Sequence, residues 1–274
     1  MWLQRILVAV VLLPIGLGAL FAGELYFAIL MVIIVALAAK EYVDILRGGG
    51  LAPAAFAIYG LVLTAGMGIV LIRTVPLLLY VVVFIMAGTI YHLFRYEGGR
   101  DEALVDLVTT YAGILYLGVF GSHFMLIRGL PHGEWWMMLV FTAVWLADTG
   151  AYFIGSSFGR KPLSPRLSPR KTWEGYLGGL GAAIVGSPLM LLVYRLFGLP
   201  EDSAITIPNV IVLGAVFGLL TTYGDLTISL LKRVFHLKNT GDILLSHGGM
   251  LDRIDSWLWA ATIGYYLITV IFMT

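Results

Sequence analysis

Nine apolar runs occupy most of this chain, at residues 6–21, 25–39, 53–72, 75–93, 104–127, 135–154, 175–197, 208–231 and 254–273. Crossing the hydrocarbon core of a bilayer as a helix takes about 17 to 25 apolar residues. In lipid, every backbone N–H and C=O must find a partner within the protein, so runs of this kind read as membrane helices rather than loops or open sheet. The composition points the same way: with 60% hydrophobic and 12% charged residues, 274 residues carry too little polar surface for a soluble fold. The expected fold is therefore all-α, a polytopic integral membrane protein of about nine transmembrane helices. The first two runs are short and separated by Ala22, Gly23 and Glu24, which reads as a tight hairpin or as one region whose two parts the sequence does not separate. Arg5 before an apolar run resembles a signal peptide, but a small-x-small cleavage site is missing, and an uncleaved first helix is expected.

Orientation follows from the basic residues, which are retained on the cytoplasmic side. With the N-terminus inside, the cytoplasmic face carries Arg5, Lys40, Arg47, Arg95, Arg100, Arg160, Lys161, Arg166, Arg170, Lys171, Lys232, Arg233, Lys238 and Arg253. Arg73, Arg128 and Arg195 remain outside, an asymmetry that supports both the orientation and an odd number of spans. The absence of cysteine excludes disulfides, iron–sulfur clusters and thiolate zinc sites. No repeat, low-complexity linker or soluble domain stands out. The chain reads as a single membrane domain, 1–274, with N-terminal spans (1–130) for packing, lipid contact and dimerisation, and a chemically richer C-terminal half (131–274).

The polar chemistry gathers in that second half. Residues 229–256 hold Lys232, Arg233, Lys238 and Arg253, three aspartates, two histidines and Gly248-Gly249, directly beside membrane-length runs. Ionisable groups next to hydrocarbon are costly and mark functional sites by default. Asp225 follows Gly224 inside an apolar run; it reads either as a packing partner for a basic residue or as a site acid. Asp252 and Asp255, three apart, lie on one face of a helix, where acids also stabilise a helix start against the macrodipole. Magnesium takes oxygen ligands and is held by one or two carboxylates together with substrate phosphates, and Asp225 with Asp252 is the first choice for such a pair. Asp148, in WLADTGAYFIG, is either a locally bonded helix bend or a further ligand or nucleotide contact.

The loop 155–174 carries five basic residues, three prolines and four serines. Such a loop is a topology signal or an anionic-lipid contact, or else a phosphate site: Arg170 and Lys171 stand at a helix start, where backbone donors favour anions. It does not satisfy the G-x-x-x-x-G-K-[ST] pattern, because three residues separate Gly155 from Gly159 and Arg160 precedes Lys161. His247 reads as a general base or as the residue shaping the Gly248-Gly249 turn. The other histidines form no helical i, i+3 or i, i+4 pair, which argues against zinc. Glu41, beside Lys40, reads equally as an interfacial ion-pair residue and as a site residue.

Two strings carry a family resemblance. Ser229, Lys232, Arg233 and Lys238, followed by His247, Gly248, Gly249, Asp252, Arg253 and Asp255, resemble the signature of the phosphatidate cytidylyltransferases, the CDP-diacylglycerol synthases. Ala147 to Tyr152 and Ser168 to Gly175 are similar to the family's other shared segments, so the resemblance covers the C-terminal half. The N-terminal spans match through length, hydropathy and Glu41. Departures stand at Asn239, where the family has Asp and where Asp242 is a nearby carboxylate, and at Leu245-Ser246, where a Pro-Gly is common.

The resemblance implies transfer of a cytidylyl group from CTP to phosphatidic acid, giving CDP-diacylglycerol and pyrophosphate with Mg²⁺, with or without a second cation. It implies catalytic roles for Asp225, Asp252, Lys171 and Asp255, and metal ligation by Asp225, Asp252 and Asp148. Substrate contacts fall to Lys232, Arg233, Lys238, Arg253, His247, Gly248, Gly249, Arg170, Ser168 and Glu174. CTP, phosphatidic acid and membrane lipid are the implied partners, without nucleic acid, in a homodimer of bacterial inner-membrane type whose site faces the cytoplasm. Two other readings compete. An ion-coupled transporter would use intramembrane Asp225 and Asp148, but transporters place repeats and broken helices in both halves. A CDP-alcohol phosphotransferase would need its last two aspartates four apart, whereas Asp252 and Asp255 are three apart.

Overall fold

The computed structural model describes residues 13–201, 204–242 and 248–273. Among these residues nine helices follow in order: α1 (Leu13–Ala22), α2 (Glu24–Gly48), α3 (Ala55–Leu71), α4 (Leu77–Glu97), α5 (Ala103–Arg128), α6 (Gly133–Phe158), α7 (Trp173–Leu196), α8 (Ile207–Val234) and α9 (Leu251–Phe272). Each covers one of the apolar runs. The part of the first run before Leu13, and with it the expectation about a leader, lies outside the described residues. Six helices, α4 to α9, are long and apolar enough to cross a membrane. They also expose large side chains, as on α4, where Leu78, Leu79, Met86, Leu93 and Phe94 face outward. Exposed apolar bands of this size belong against hydrocarbon or another protein, not water.

One element departs from an all-α reading. Within the basic loop, β1 (Pro162–Ser164) and β2 (Ser168–Thr172) form a small antiparallel hairpin, with Pro162 opposite Thr172 and Ser164 opposite Ser168. Strands this short, one of them containing Pro169, carry no hydrophobic alternation, so the pairing leaves no signature in the sequence.

The chain divides into two compact units. The first comprises residues up to Gly129 together with Val234–Ile254; the second comprises Leu130–Arg233 and Asp255 onward. In the first, α3 supplies a fully buried face of Ala57, Ile58, Leu61 and Ala65. Gly113 on α5 makes room for it: a Cβ there would fall 2.6 Å from Ile58 Cδ1 and 2.8 Å from Tyr42 Cε1. Beside this contact α5 widens into a π-helical turn, Ile114–Val119.

The polar end of α2 is fixed by a clasp on α5. Buried Asp106 accepts from Ala52 N (2.7 Å) and pairs with Arg100 Nε (2.9 Å), while Arg100 Nη2 donates to Gly50 O (2.7 Å). Tyr42 OH donates to Thr109 O at 2.8 Å. Helix α2 thus runs past the apolar segment that ends at residue 39 and carries Lys40, Glu41 and Asp44 in its last turns. Lys40 and Asp44, four apart, pair at 2.6 Å, and the chain leaves the helix through Gly49 and Gly50, the latter at φ +85°. That left-handed conformation suits glycine at a helix C-terminus.

In the second unit α6 and α7 pack closely along small residues. A Cβ at Gly175 would fall 2.8 Å from Ala151 O, and one at Gly179 would fall 2.5 Å from Ala147 O. Backbone approach of this kind is how membrane helices associate when burial of apolar surface gives no driving force. It sets the α6 segment carrying Asp148 against the start of α7, next to the hairpin.

Candidate active site

The acids singled out from the sequence fall into two groups, one in each unit. In the second unit, Lys171 Nζ at the end of β2 meets Asp225 Oδ2 on α8 at 2.5 Å. Asp255 on α9 lies within hydrogen-bonding reach of Asp225 and feels the charge of Lys171. Asp148 on α6 is close enough to Lys171 and Asp225 to interact with both charges. Four segments therefore bring their ionisable side chains together. Gly224 is what lets α8 and α9 meet here, since a Cβ at this position would fall 2.6 Å from Asp255 O and 2.9 Å from Trp259 Cδ1. Asp255 is 5% exposed and accepts from Ser256 N at 2.6 Å, whereas Asp225 and Lys171 are partly open.

The hairpin that delivers Lys171 is clamped at its base. Trp173 N donates to Lys161 O (2.9 Å), and Glu174 Oε2 accepts from Arg160 N (3.0 Å) and Lys161 N (3.2 Å). Thr172 is the N-cap of α7, its hydroxyl accepting from Gly175 N at 3.2 Å. Lys171 thus precedes the cap instead of occupying the helix start, and one of the free donors expected there for phosphate is taken by Thr172. At the far end of the hairpin, Arg233 Nε donates to Leu167 O at 3.1 Å.

In the first unit, Asp252 stands in the first turn of α9. Its Oδ2 accepts from Thr240 N (2.9 Å), Thr240 Oγ1 (3.1 Å) and Gly249 N (3.4 Å). Glu41, 3% exposed, accepts from Met250 N (2.7 Å), Leu251 N (2.9 Å) and Thr240 Oγ1 (2.9 Å). Both glycines of the motif have a geometric reason. Gly248 sits at φ +81°, and a Cβ on Gly249 would collide with Thr240 Oγ1 and Glu41 Oε2.

The remaining predicted residues are placed as follows. Ser168 lies in β2 opposite Ser164, and Arg170 is exposed on the same strand. Lys232 is half-buried and Arg233 exposed in the last turn of α8, while Lys238 and Arg253 are exposed. His247 lies outside the described residues. Asp225 and Asp252, paired as metal ligands in the sequence reading, belong to different units and have separate partners. Nothing in the sequence points to Thr240, and Glu41 stands out there without its partners.

Among the described residues, no group of three or more His, Cys, Asp or Glu side chains is arranged to enclose a metal ion. Mg²⁺ does not require such a cage, because it keeps waters and shares carboxylates with substrate phosphates. Asp225 pairs with Lys171, and Asp255 and Asp148 stand near enough to interact with it; carboxyl oxygens are the ligand type that Mg²⁺ takes.

The model of the cytidylyltransferase family matches residues 3–271, nearly the whole chain. Among similar proteins, one from Synechocystis is 29% identical over 98% of this chain and 97% of its own length. One from Thermotoga maritima is 37% identical over 69% of this chain and 68% of its own. One from Bacillus subtilis is 38% identical over 56% of this chain and 55% of its own. All three are named phosphatidate cytidylyltransferase.

Proposed function

The chain belongs to the cytidylyltransferase family, and from that premise we propose that it joins CTP to phosphatidate, giving CDP-diacylglycerol and pyrophosphate. Membership of this family displaces the transporter reading of the intramembrane acids. The observation that carries the reaction to particular atoms is the Lys171–Asp225 pair with Asp148 and Asp255 beside it.

A phosphate oxygen of phosphatidate attacks the α-phosphorus of CTP; the bond from that phosphorus to the oxygen of the β-phosphate breaks, and pyrophosphate leaves with the electron pair. A phosphomonoester is already largely dianionic at neutral pH, so no side chain has to remove a proton. The difficulty is bringing two anions together, and positioning with charge neutralisation dominates such reactions. Asp225, with Asp255 and Asp148 as secondary candidates beside it, would hold Mg²⁺ through one or two carboxylates shared with water and the triphosphate, neutralising charge there. Asp252, the partner expected from the sequence, is retained as an acid of the CTP reaction.

Lys171 is assigned to the triphosphate, as a flexible point charge able to leave Asp225 for a phosphate oxygen. Arg170, Lys232, Arg233, Lys238 and Arg253 supply positive charge for the triphosphate and the lipid phosphate, arginine by paired hydrogen bonds. Glu174 and Gly249 serve by shaping the backbone rather than by touching substrate, a role supported by their contacts with Arg160, Lys161, Thr240 and Glu41.

The finer topology is nine spans with the N-terminus and the site on the cytoplasmic side, supported by the distribution of Lys and Arg. The acyl chains of substrate and product stay in the bilayer, and a two-fold homodimer is the expected assembly. The test is an assay of purified protein in detergent with CTP labelled at the α-phosphate, phosphatidate and Mg²⁺. Label should pass into the lipid phase; no transfer above a protein-free control contradicts the reading.

A further inference from the structure

Glu41 is an unusual place to keep a charge. It is 3% exposed, and a buried carboxylate is tolerated only when its oxygens are well bonded. Its partners lie some two hundred positions away in sequence: Oε1 accepts from Met250 N at 2.7 Å, and Oε2 from Leu251 N and Thr240 Oγ1, each at 2.9 Å. The first backbone N–H groups of a helix have no acceptor within it. A Ser, Thr, Asp or Asn at the N-cap normally provides one. Helix α9 begins at Leu251, and the residue before it, Met250, has no such oxygen. Glu41 supplies it from α2.

The same carboxylate is linked to Asp252 through Thr240. The Thr240 hydroxyl lies 2.9 Å from Glu41 Oε2 and 3.1 Å from Asp252 Oδ2, and Thr240 N donates to Asp252 Oδ2 at 2.9 Å. One hydroxyl proton is shared between two acids, so shifting Glu41 shifts the donor that locates Asp252. The backbone is fitted to this arrangement. A Cβ on Gly241 would fall 2.8 Å from Glu41 Oε1, and one on Gly249 would overlap Glu41 and Thr240.

We infer that Glu41 is a positioning residue for Asp252: it caps α9 from a distant helix and, through Thr240, fixes where the Asp252 carboxylate stands. This rests on the assignment of Asp252 to the CTP reaction. It predicts that Glu41→Gln, which keeps the size but replaces one acceptor oxygen with an N–H₂ donor, loosens the start of α9 while the rest of the unit holds.

The experiment compares Glu41→Gln, Asp252→Asn, the double variant and Asp106→Asn. Asp106→Asn serves as a control that weakens a buried ion pair of the same unit away from Asp252. Hydrogen–deuterium exchange reads the amides of Met250 and Leu251, and label transfer gives kcat and KM. In Glu41→Gln, exchange at these two amides should rise about tenfold, the equivalent of one lost hydrogen bond, with protection in α3 unchanged. Its kcat should fall about tenfold or more, with KM for phosphatidate unchanged. The double variant should be no slower than Asp252→Asn alone, because residues acting as a unit are not additive. Asp106→Asn should lower thermal stability without these signatures. Unchanged exchange at Met250 and Leu251, an unchanged kcat, or losses that multiply in the double variant overturn the inference. If the wild-type protein transfers no label, the assigned reaction fails, while the exchange result still reads Glu41 on its own.

Discussion

Around Glu41, carboxylate oxygens meet backbone N–H groups and a hydroxyl; around Asp225, carboxyl groups meet one another and an ammonium. The first arrangement is neutralised by the protein's own dipoles and holds a turn in place. The second places Asp225, Asp255 and Asp148 near Lys171, with Asp225 and Lys171 partly open. Acids of the same kind thus divide into a set whose acceptors the protein already fills and a set that faces an ammonium and other acids. What separates them is whether the acceptors are already used, together with depth: Glu41 is 3% exposed, whereas Asp225 is partly open.

The strongest way to break this contrast is Lys171→Met. If the ammonium serves the triphosphate, label transfer from CTP should drop by about 10²- to 10³-fold, the scale of losing one preorganised contact to developing charge, with the thermal midpoint nearly unchanged. Near wild-type turnover would make the Lys171–Asp225 pair another clasp. A smaller effect should come from the other region. Gly249→Ala puts a methyl group where Glu41 and Thr240 already stand, and overpacking of this kind costs about 1–3 kcal/mol. Thermal unfolding should reveal the loss, and a midpoint equal to wild type would show that the turn has room to spare.

Much of the fold is legible in the sequence, because bilayer-length runs of apolar residues leave one choice of secondary structure. Asp225 stands out for the same reason, and its contact with Lys171 suits both of its readings, packing partner of a basic residue and site acid; the glycine before it is the contact with α9. Glu41 is legible as an anomaly but not as a cap. Its partners lie 199 to 210 positions away, and no local pattern encodes contacts at that range. Asp252 and Asp255 read as a pair because residues three apart are neighbours on a helix. Yet Asp252 is taken by Thr240, and Asp255 lies against Asp225. Spacing gives the face of a helix but not the partners it meets. The hairpin and the Glu174 clamp leave no pattern for a simpler reason, since the hairpin pairs backbone groups and Glu174 Oε2 accepts from the backbone N–H of Arg160 and Lys161.

The claim that the Asp225 group is the cation-binding centre is tested most directly by counting bound metal, without relying on turnover. Mn²⁺ can stand in for Mg²⁺, and electron paramagnetic resonance separates free from bound Mn²⁺ in purified protein with CTP present. Wild-type protein and Glu41→Gln should both bind Mn²⁺, while Asp225→Asn, folded to the same extent, should lose about tenfold or more in affinity. Equal Mn²⁺ binding by Asp225→Asn and wild type would contradict the account.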